Sequence, residues 1–154
     1  GAQLMARRVV GIGQRVAGDD GVGLAVLDEL EHRELPEATS LLRISDPVEL
    51  VSIFDSEDGF VLVDAVLGAP PGVVLDLSLR ELSAKAPQPT SSHGIGVAGA
   101  IELAGVLSDR GRAPNVRVVA VTIARPERYG TGLSPEVAAA VPRAADRVLE
   151  LLGE

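Results

Sequence analysis

Cysteine is absent from this chain, and aromatic side chains make up only 2% of it. Without cysteine the protein has no disulfide bond, no thiolate metal site and no cysteine nucleophile, which is typical of a reducing compartment. Because rings are so scarce, the hydrophobic 46% of the chain consists almost entirely of aliphatic side chains. Aliphatic runs are typical of parallel strands that are buried on both faces, so the composition favours an α/β protein.

Basic residues are also scarce. The chain has 14 Lys and Arg and 22 Asp and Glu, which gives a net charge of −8. Nucleic-acid binding needs clustered Lys and Arg, and this sequence has no such cluster. The longest apolar stretch, residues 94–107, is shorter than the roughly 20 residues of a membrane span and contains Glu102. With no secretory signal in view, we expect a cytoplasmic protein that binds neither nucleic acid nor membrane.

The chain has no internal repeat and no linker-like composition. Residues 1–4 are predicted to be an expression scar ahead of a native Met5, which leaves 5–154 as a single domain. A domain of this length can bury a sizeable core.

Strand-like and helix-like patterns alternate along the chain. The strand-like runs are 7–12, 39–45, 59–66, 72–78 and 115–122. The helical patterns are 20–33, 47–56, 93–109 and a last segment that opens at Ser134-Pro135-Glu136. This order predicts a three-layer α/β fold, with a five-stranded, mostly parallel sheet and helices on both faces. The connection after the third strand is too short for a parallel crossover of about a dozen residues, so the fourth strand is predicted to be antiparallel.

Ligands of open α/β sheets bind outside the carboxyl ends of the strands, so polar residues there are candidates for function. Asp19 and Asp20 follow the first strand, Asp64 interrupts the apolar third strand, and His93 precedes the third helix. Thr122 and Arg125 follow the last strand. A carboxylate inside an apolar strand needs a hydrogen bond, a charged partner or a metal ion.

Each candidate also has an ordinary structural explanation. Asp19 suits a helix N-cap, and Asp46 is predicted to cap the short helix that begins at Pro47. Capping accounts for one of the two adjacent aspartates and leaves Asp20 for another role. His32, the other histidine of the chain, lies at a polar helix end and is predicted to be solvated.

Two carboxylates and one imidazole, from Asp20, Asp64 and His93, are predicted to converge at one edge of the sheet. Such a set suits a borderline divalent ion such as nickel or zinc and leaves coordination positions open. A nucleotide cradle is less favoured, because "GIGQRVAG" carries Val16 at the third glycine position and lacks the P-loop Lys. No G-x-S-x-G elbow supports a serine hydrolase.

Four segments, taken in order, carry a resemblance to a known family. They are "GIGQRVAGDDGVG" at 11–23, "VLVDAV" at 61–66, "SSHGIG" at 91–96 and "GLSPEV" at 132–137. The set resembles the [NiFe]-hydrogenase maturation proteases, and the likeness runs from about Met5 to the C-terminus. It implies a cytoplasmic, monomeric endopeptidase that removes a C-terminal extension from a hydrogenase large-subunit precursor after nickel insertion.

The metal-binding positions of that family fall on Asp20, Asp64 and His93. The resemblance therefore implies that these residues sense nickel carried by the precursor and that cleavage depends on this nickel. Residues 45–47 and the irregular stretch 80–92 would flank the substrate groove. A non-catalytic accessory protein that checks nickel loading, or a nucleotide-binding module, remains an alternative.

Two single residues and one three-residue stretch depart from the family pattern. Gln14 stands where Asn is usual, and Asp20 stands where Glu is frequent, so its shorter side chain must lie closer to the ion. Ser45-Asp46-Pro47 replaces a common Gly-Gly-Thr stretch, which places an extra negative charge near the expected groove. These departures leave the identity of the precursor open.

Overall fold

The computed structural model describes residues 7–14, 18–53, 60–78, 81, 116–124 and 132–153. Its strands are β1 (Arg7–Ile12), β2 (Thr39–Ile44), β3 (Phe60–Leu67), β4 (Val74–Leu77) and β5 (Val116–Ile123). Its helices are α1 (Val22–Leu30), α2 (Glu49–Ile53) and α3 (Pro135–Leu152), and a 3₁₀ turn at Gly18–Gly21 leads into α1. The helix predicted over 93–109 lies outside the described residues, as does the stretch 80–92 apart from Glu81.

The five strands form one sheet in the order β2-β1-β3-β5-β4. All neighbours are parallel except β4, which pairs with β5 in the antiparallel direction. The predicted mostly parallel sheet with one antiparallel strand is therefore confirmed. The short connection does reverse the chain after β3, but β4 does not pair with β3 because β5 occupies that position.

Helices cover both faces of the sheet. On one face α1 and α3 pack against the sheet and against each other, and Leu27 and Val148 are fully buried there. On the other face Leu50 of α2 is fully buried against side chains such as Leu62 and Val118. Among the described helices, none combines the length and apolarity needed to cross a bilayer.

The last helix follows its predicted pattern. It begins at Pro135, directly after Ser134 in the N-cap position. The apolar residues predicted for its inner face all belong to the first core or pack against it: Val137, Val141, Ala145, Val148 and Leu152. A helix with this pattern is stabilised mainly by burying its apolar face on the sheet.

Thr122 has a structural role near the end of β5. Its buried hydroxyl donates a hydrogen bond to the Pro70 carbonyl at 2.8 Å and accepts one from the Val73 N–H at 2.8 Å. These two bonds fasten the connection between β3 and β4 to β5. The residue therefore serves the fold, although it was a candidate on position alone.

We expect Thr122→Val to lower the free energy of unfolding by about 1–2 kcal/mol, because two backbone groups lose their partner while the shape of the side chain is kept. Urea denaturation measures the change. Thr122→Ser retains the hydroxyl and should lose less. A valine variant as stable as the wild type would contradict the role given to the hydroxyl.

Candidate active site

The site lies where β3 extends past β1. The pairing of these strands ends at Gly11 with Val63, whereas β3 and β5 continue to pair as far as Leu67 with Ile123. Asp64 is the first residue of β3 beyond the last pair with β1. Because β1 leads to β2 on one side and β3 leads to β4 on the other, the connections that follow these two strands diverge and leave the crevice in which open α/β sheets bind ligands.

The glycines of the first motif let the 3₁₀ turn and α1 lie directly on the sheet backbone. A Cβ atom at Gly13 would lie 2.3 Å from the Asp20 carbonyl oxygen, and one at Gly23 would lie 2.6 Å from the carbonyl oxygens of Ile12 and Val63. A side chain at Gly13 would push the turn away from the end of β1, and one at Gly23 would push α1 away from β1 and β3. The glycines are therefore explained by close packing, without a phosphate cradle.

Asp20 is brought beside the end of β1 by this packing. Its half-buried carboxylate accepts a hydrogen bond from the backbone N–H of Gln14. Burial raises the pKa of Asp20, and the hydrogen bond from Gln14 opposes that rise. Because the donor is a backbone group, the replacement of the usual Asn by Gln14 does not affect this contact.

Asp64 is the more strongly perturbed carboxyl group. Burial raises its pKa well above the ordinary value, and the nearby negative charge of Asp20 raises it further. One stabilising contact opposes these effects, since the Ala65 N–H donates to Asp64 Oδ1 at 2.8 Å. The structure thus brings together two of the three predicted site residues, Asp20 and Asp64, as a mutually repelling pair.

Asp19 does not cap α1, and the expectation that it does so is wrong. The N-cap of α1 is Gly21, with no side-chain hydrogen bond. Asp19 instead accepts two hydrogen bonds from Ser134, from the N–H to Oδ1 at 2.7 Å and from the hydroxyl to Oδ2 at 2.8 Å. Consecutive side chains of a 3₁₀ turn point about 120° apart, so the two aspartates serve different partners.

Asp46 caps α2 as predicted. Its Oδ1 accepts the Val48 N–H at 3.0 Å, while Glu49 Oε2 accepts the N–H groups of Ser45 and Asp46 at 3.1 Å each. This reciprocal arrangement is a capping box. The role of Glu49 was not anticipated, although the acidic residue three positions after the cap is its recognised signal. Ser45-Asp46-Pro47, which stands in place of Gly-Gly-Thr, thus forms the segment that leads into α2.

The third predicted ligand, His93, lies outside the described residues, and so does Arg125. Within the described ranges no group of three or more His, Asp or Glu side chains is close enough to hold a metal ion. The pair formed by Asp20 and Asp64 supplies carboxylate oxygens, which suit divalent cations, and a cation would relieve the repulsion between them. His32 is exposed, as predicted.

Comparisons with known proteins agree with this architecture. The family model HycI, described as hydrogenase maturation protease, matches residues 44–151. Protein FrxA of Pyrococcus furiosus is 31% identical over 140 residues, which cover 89% of this chain and 98% of that protein. The hydrogenase 2 maturation protease of Escherichia coli is 26% identical over 150 residues, which cover 95% of this chain and 90% of the relative.

Solved structures share the fold over almost the whole chain. The hydrogenase maturating endopeptidase HybD from E. coli superposes with a TM-score of 0.78 at 26% identity, covering 97% of this chain and 93% of that one. The protein HybD from Thermococcus kodakarensis, at 22% identity, gives a TM-score of 0.75 with coverage of 96% and 99%. The family model spans well over half of the sequence. The chain therefore belongs to the hydrogenase maturation protease family and is a peptidase.

Proposed function

We propose that this peptidase removes the C-terminal extension of a [NiFe]-hydrogenase large-subunit precursor, and that nickel carried by the precursor is recognised by Asp20, Asp64 and His93. The names of its relatives support hydrogenase processing. The observation that carries the nickel recognition is the repelling pair of carboxyl groups at the end of β1, the position at which open α/β sheets bind ligands. We expect the enzyme to act in the cytoplasm as a monomer.

The electrostatics of the pair favours a substrate that brings a cation. Two neighbouring carboxyl groups with raised pKa values oppose each other's ionisation, so the free site is least favourable when both are charged. A precursor that carries nickel neutralises both groups, whereas a precursor without nickel leaves the repulsion in place. The difference in binding free energy between these precursors makes cleavage conditional on nickel insertion.

The same carboxyl groups suit peptide hydrolysis. A carboxylate whose pKa is raised well above the ordinary value is a stronger base than a free aspartate, so it is better suited to accept a proton from water. We assign the acceptance of the proton to Asp64, whose pKa is the more strongly raised and whose carboxyl group also faces the nickel, and the orientation of the nickel to Asp20 and His93. The nickel of the precursor would supply a Lewis acid close to the scissile bond.

We expect Asp20→Asn and Asp64→Asn each to fold normally and to lower the processing rate by at least about 100-fold, because each removes a charge that faces the nickel. Mass spectrometry of a nickel-loaded precursor after incubation measures the shortened product, and a nickel-free precursor serves as the negative control.

The matched control is Asp76→Asn, since Asp76 is an exposed aspartate on β4 that pairs with Arg147. It should process the precursor at the wild-type rate. Normal processing by both site variants would refute the assignment. A stable complex with an uncut precursor would indicate that the protein checks nickel loading without catalysis.

We expect His93→Ala to weaken nickel binding by about tenfold or more, because it removes the only nitrogen donor of the proposed set. Isothermal titration of the protein with nickel measures the affinity. His32→Ala, at the exposed histidine, is the matched control and should bind as the wild type does. Equal nickel affinities for the wild type and both variants would refute the role of His93 in nickel binding.

The raised pKa of Asp64 predicts a pH-dependent stability. Because the folded-state pKa lies above that of the unfolded chain, the contribution of Asp64 to stability is fully present below about pH 4 and is lost as pH rises through the folded-state value. We expect Asp64→Asn to have a higher Tm than the wild type at neutral pH, with a gap that narrows towards pH 4. The Asn oxygen can still accept the Ala65 N–H.

Thermal unfolding followed by circular dichroism across this pH range measures the gap. Asp76→Asn should show no such gain at neutral pH, since it breaks an exposed ion pair with Arg147. A lower Tm for Asp64→Asn at neutral pH would contradict the unfavourable burial of the charge.

A further inference from the structure

The contact between Asp19 and Ser134 joins two residues that the proposed reaction does not use directly. Both oxygens of the Asp19 carboxylate accept hydrogen bonds from this one residue, which lies 115 positions later in the sequence. Ser134 occupies the N-cap of α3, yet its hydroxyl makes no capping bond to its own helix. Ser134, which the sequence predicts to cap α3, therefore binds Asp19 in the 3₁₀ turn beside the active site.

Ser134 is a rigid anchor because the start of α3 is held from a second side. Gly72, with φ of +88°, approaches the first turn of the helix so closely that a Cβ there would lie 2.4 Å from the Glu136 carbonyl oxygen. Arg143 Nη2 donates to the Gly72 carbonyl at 2.7 Å. The connection that carries Gly72 is itself fastened to β5 by Thr122. Asp19 is thus attached to a fixed part of the molecule.

Backbone packing and the side chain of Asp19 both hold the 3₁₀ turn. Among the described residues no side chain caps α1 at Gly21, and the turn meets the end of β1 through the backbone contact of Asp20 with Gly13. Asp19 and Asp20 are neighbours whose side chains diverge, so anchoring the first determines the direction of the second. We propose that Asp19 is a positioning residue of the active site: by binding Ser134 it holds the turn so that the Asp20 carboxylate lies beside Asp64.

This role needs the shape of the side chain more than its charge. An asparagine can accept the Ser134 N–H through its oxygen and donate its amide hydrogen to the Ser134 oxygen, which has lone pairs to accept it. An alanine loses both bonds. Asp19→Asn is therefore the conservative variant that should preserve the position of Asp20, and Asp19→Ala is the variant that should release it.

Two measurements test the proposal. The first is kcat/KM for the processing of a nickel-loaded precursor, which rests on the proposed function. The second is amide hydrogen exchange at Gln14, whose N–H donates to the Asp20 carboxylate and reports its position without any substrate. Thr39→Val is the control, because Thr39 donates to the Pro36 carbonyl at the opposite end of the sheet, where β2 begins.

For Asp19→Ala we expect kcat/KM to fall by about 10- to 100-fold, since misplacing one reacting group by about 1 Å has effects of this size. Exchange at Gln14 should accelerate by about tenfold or more as its acceptor moves away. Asp19→Asn should stay within about threefold of the wild type in both measurements, and Thr39→Val should match the wild type. Ser134→Ala keeps only the hydrogen bond from the Ser134 N–H to Asp19. Its kcat/KM and its exchange rate at Gln14 should therefore lie between those of Asp19→Asn and Asp19→Ala.

Wild-type exchange at Gln14 in Asp19→Ala would overturn the proposal, and so would equal losses in Thr39→Val, which would indicate general destabilisation. If Asp19→Ala does not fold, Ser134→Ala decides, and unchanged exchange in that variant overturns the proposal. If the wild type cleaves no precursor, the proposed function fails, while the exchange at Gln14 still decides the positioning role.

Discussion

The direct contact of backbone with backbone, between the 3₁₀ turn and Gly13 and between Gly23 of α1 and the strands β1 and β3, is the constraint on which the site depends. Only glycine at 13 and 23 permits it, because a Cβ at either position would lie 2.6 Å or less from a carbonyl oxygen. The contact places Asp20 at the point where β1 ends and β3 continues with Asp64. A small loss of this contact would separate the two carboxyl groups.

Bringing the two carboxyl groups together is unfavourable, and the surrounding fold has to maintain the arrangement. Burial and mutual repulsion raise the pKa of Asp64, and burial raises that of Asp20. The opposing hydrogen bonds come from the backbone N–H groups of Gln14 and Ala65, which the sheet and the turn already hold in place. These donors hold the two carboxyl groups in place before any substrate arrives, as in preorganised electrostatic sites.

The departures from the family pattern have local structural consequences. Gln14 contributes its backbone N–H to Asp20, and this contact does not depend on the identity of its side chain. Ser45-Asp46-Pro47 starts α2 through a capping box completed by Glu49, and this ties the end of β2 to a helix. The carboxylate of Asp46 thus accepts a hydrogen bond from the Val48 N–H at the N-terminal end of α2, where a negative charge is favourable.

The sequence by itself determined the sheet, its one antiparallel strand, the cap at Asp46 and the candidate pair of Asp20 and Asp64, because each follows from local periodicity, spacing or the cost of a charge inside an apolar strand. It could not determine the partner of β4 or the role of Asp19. Those depend on which segments meet in space: β5 lies beside β3, and Ser134 arrives at the turn from 115 residues away. Local signals predict an N-cap at Asp19, and only the packing of α3 against α1 replaces that cap with a contact between distant elements.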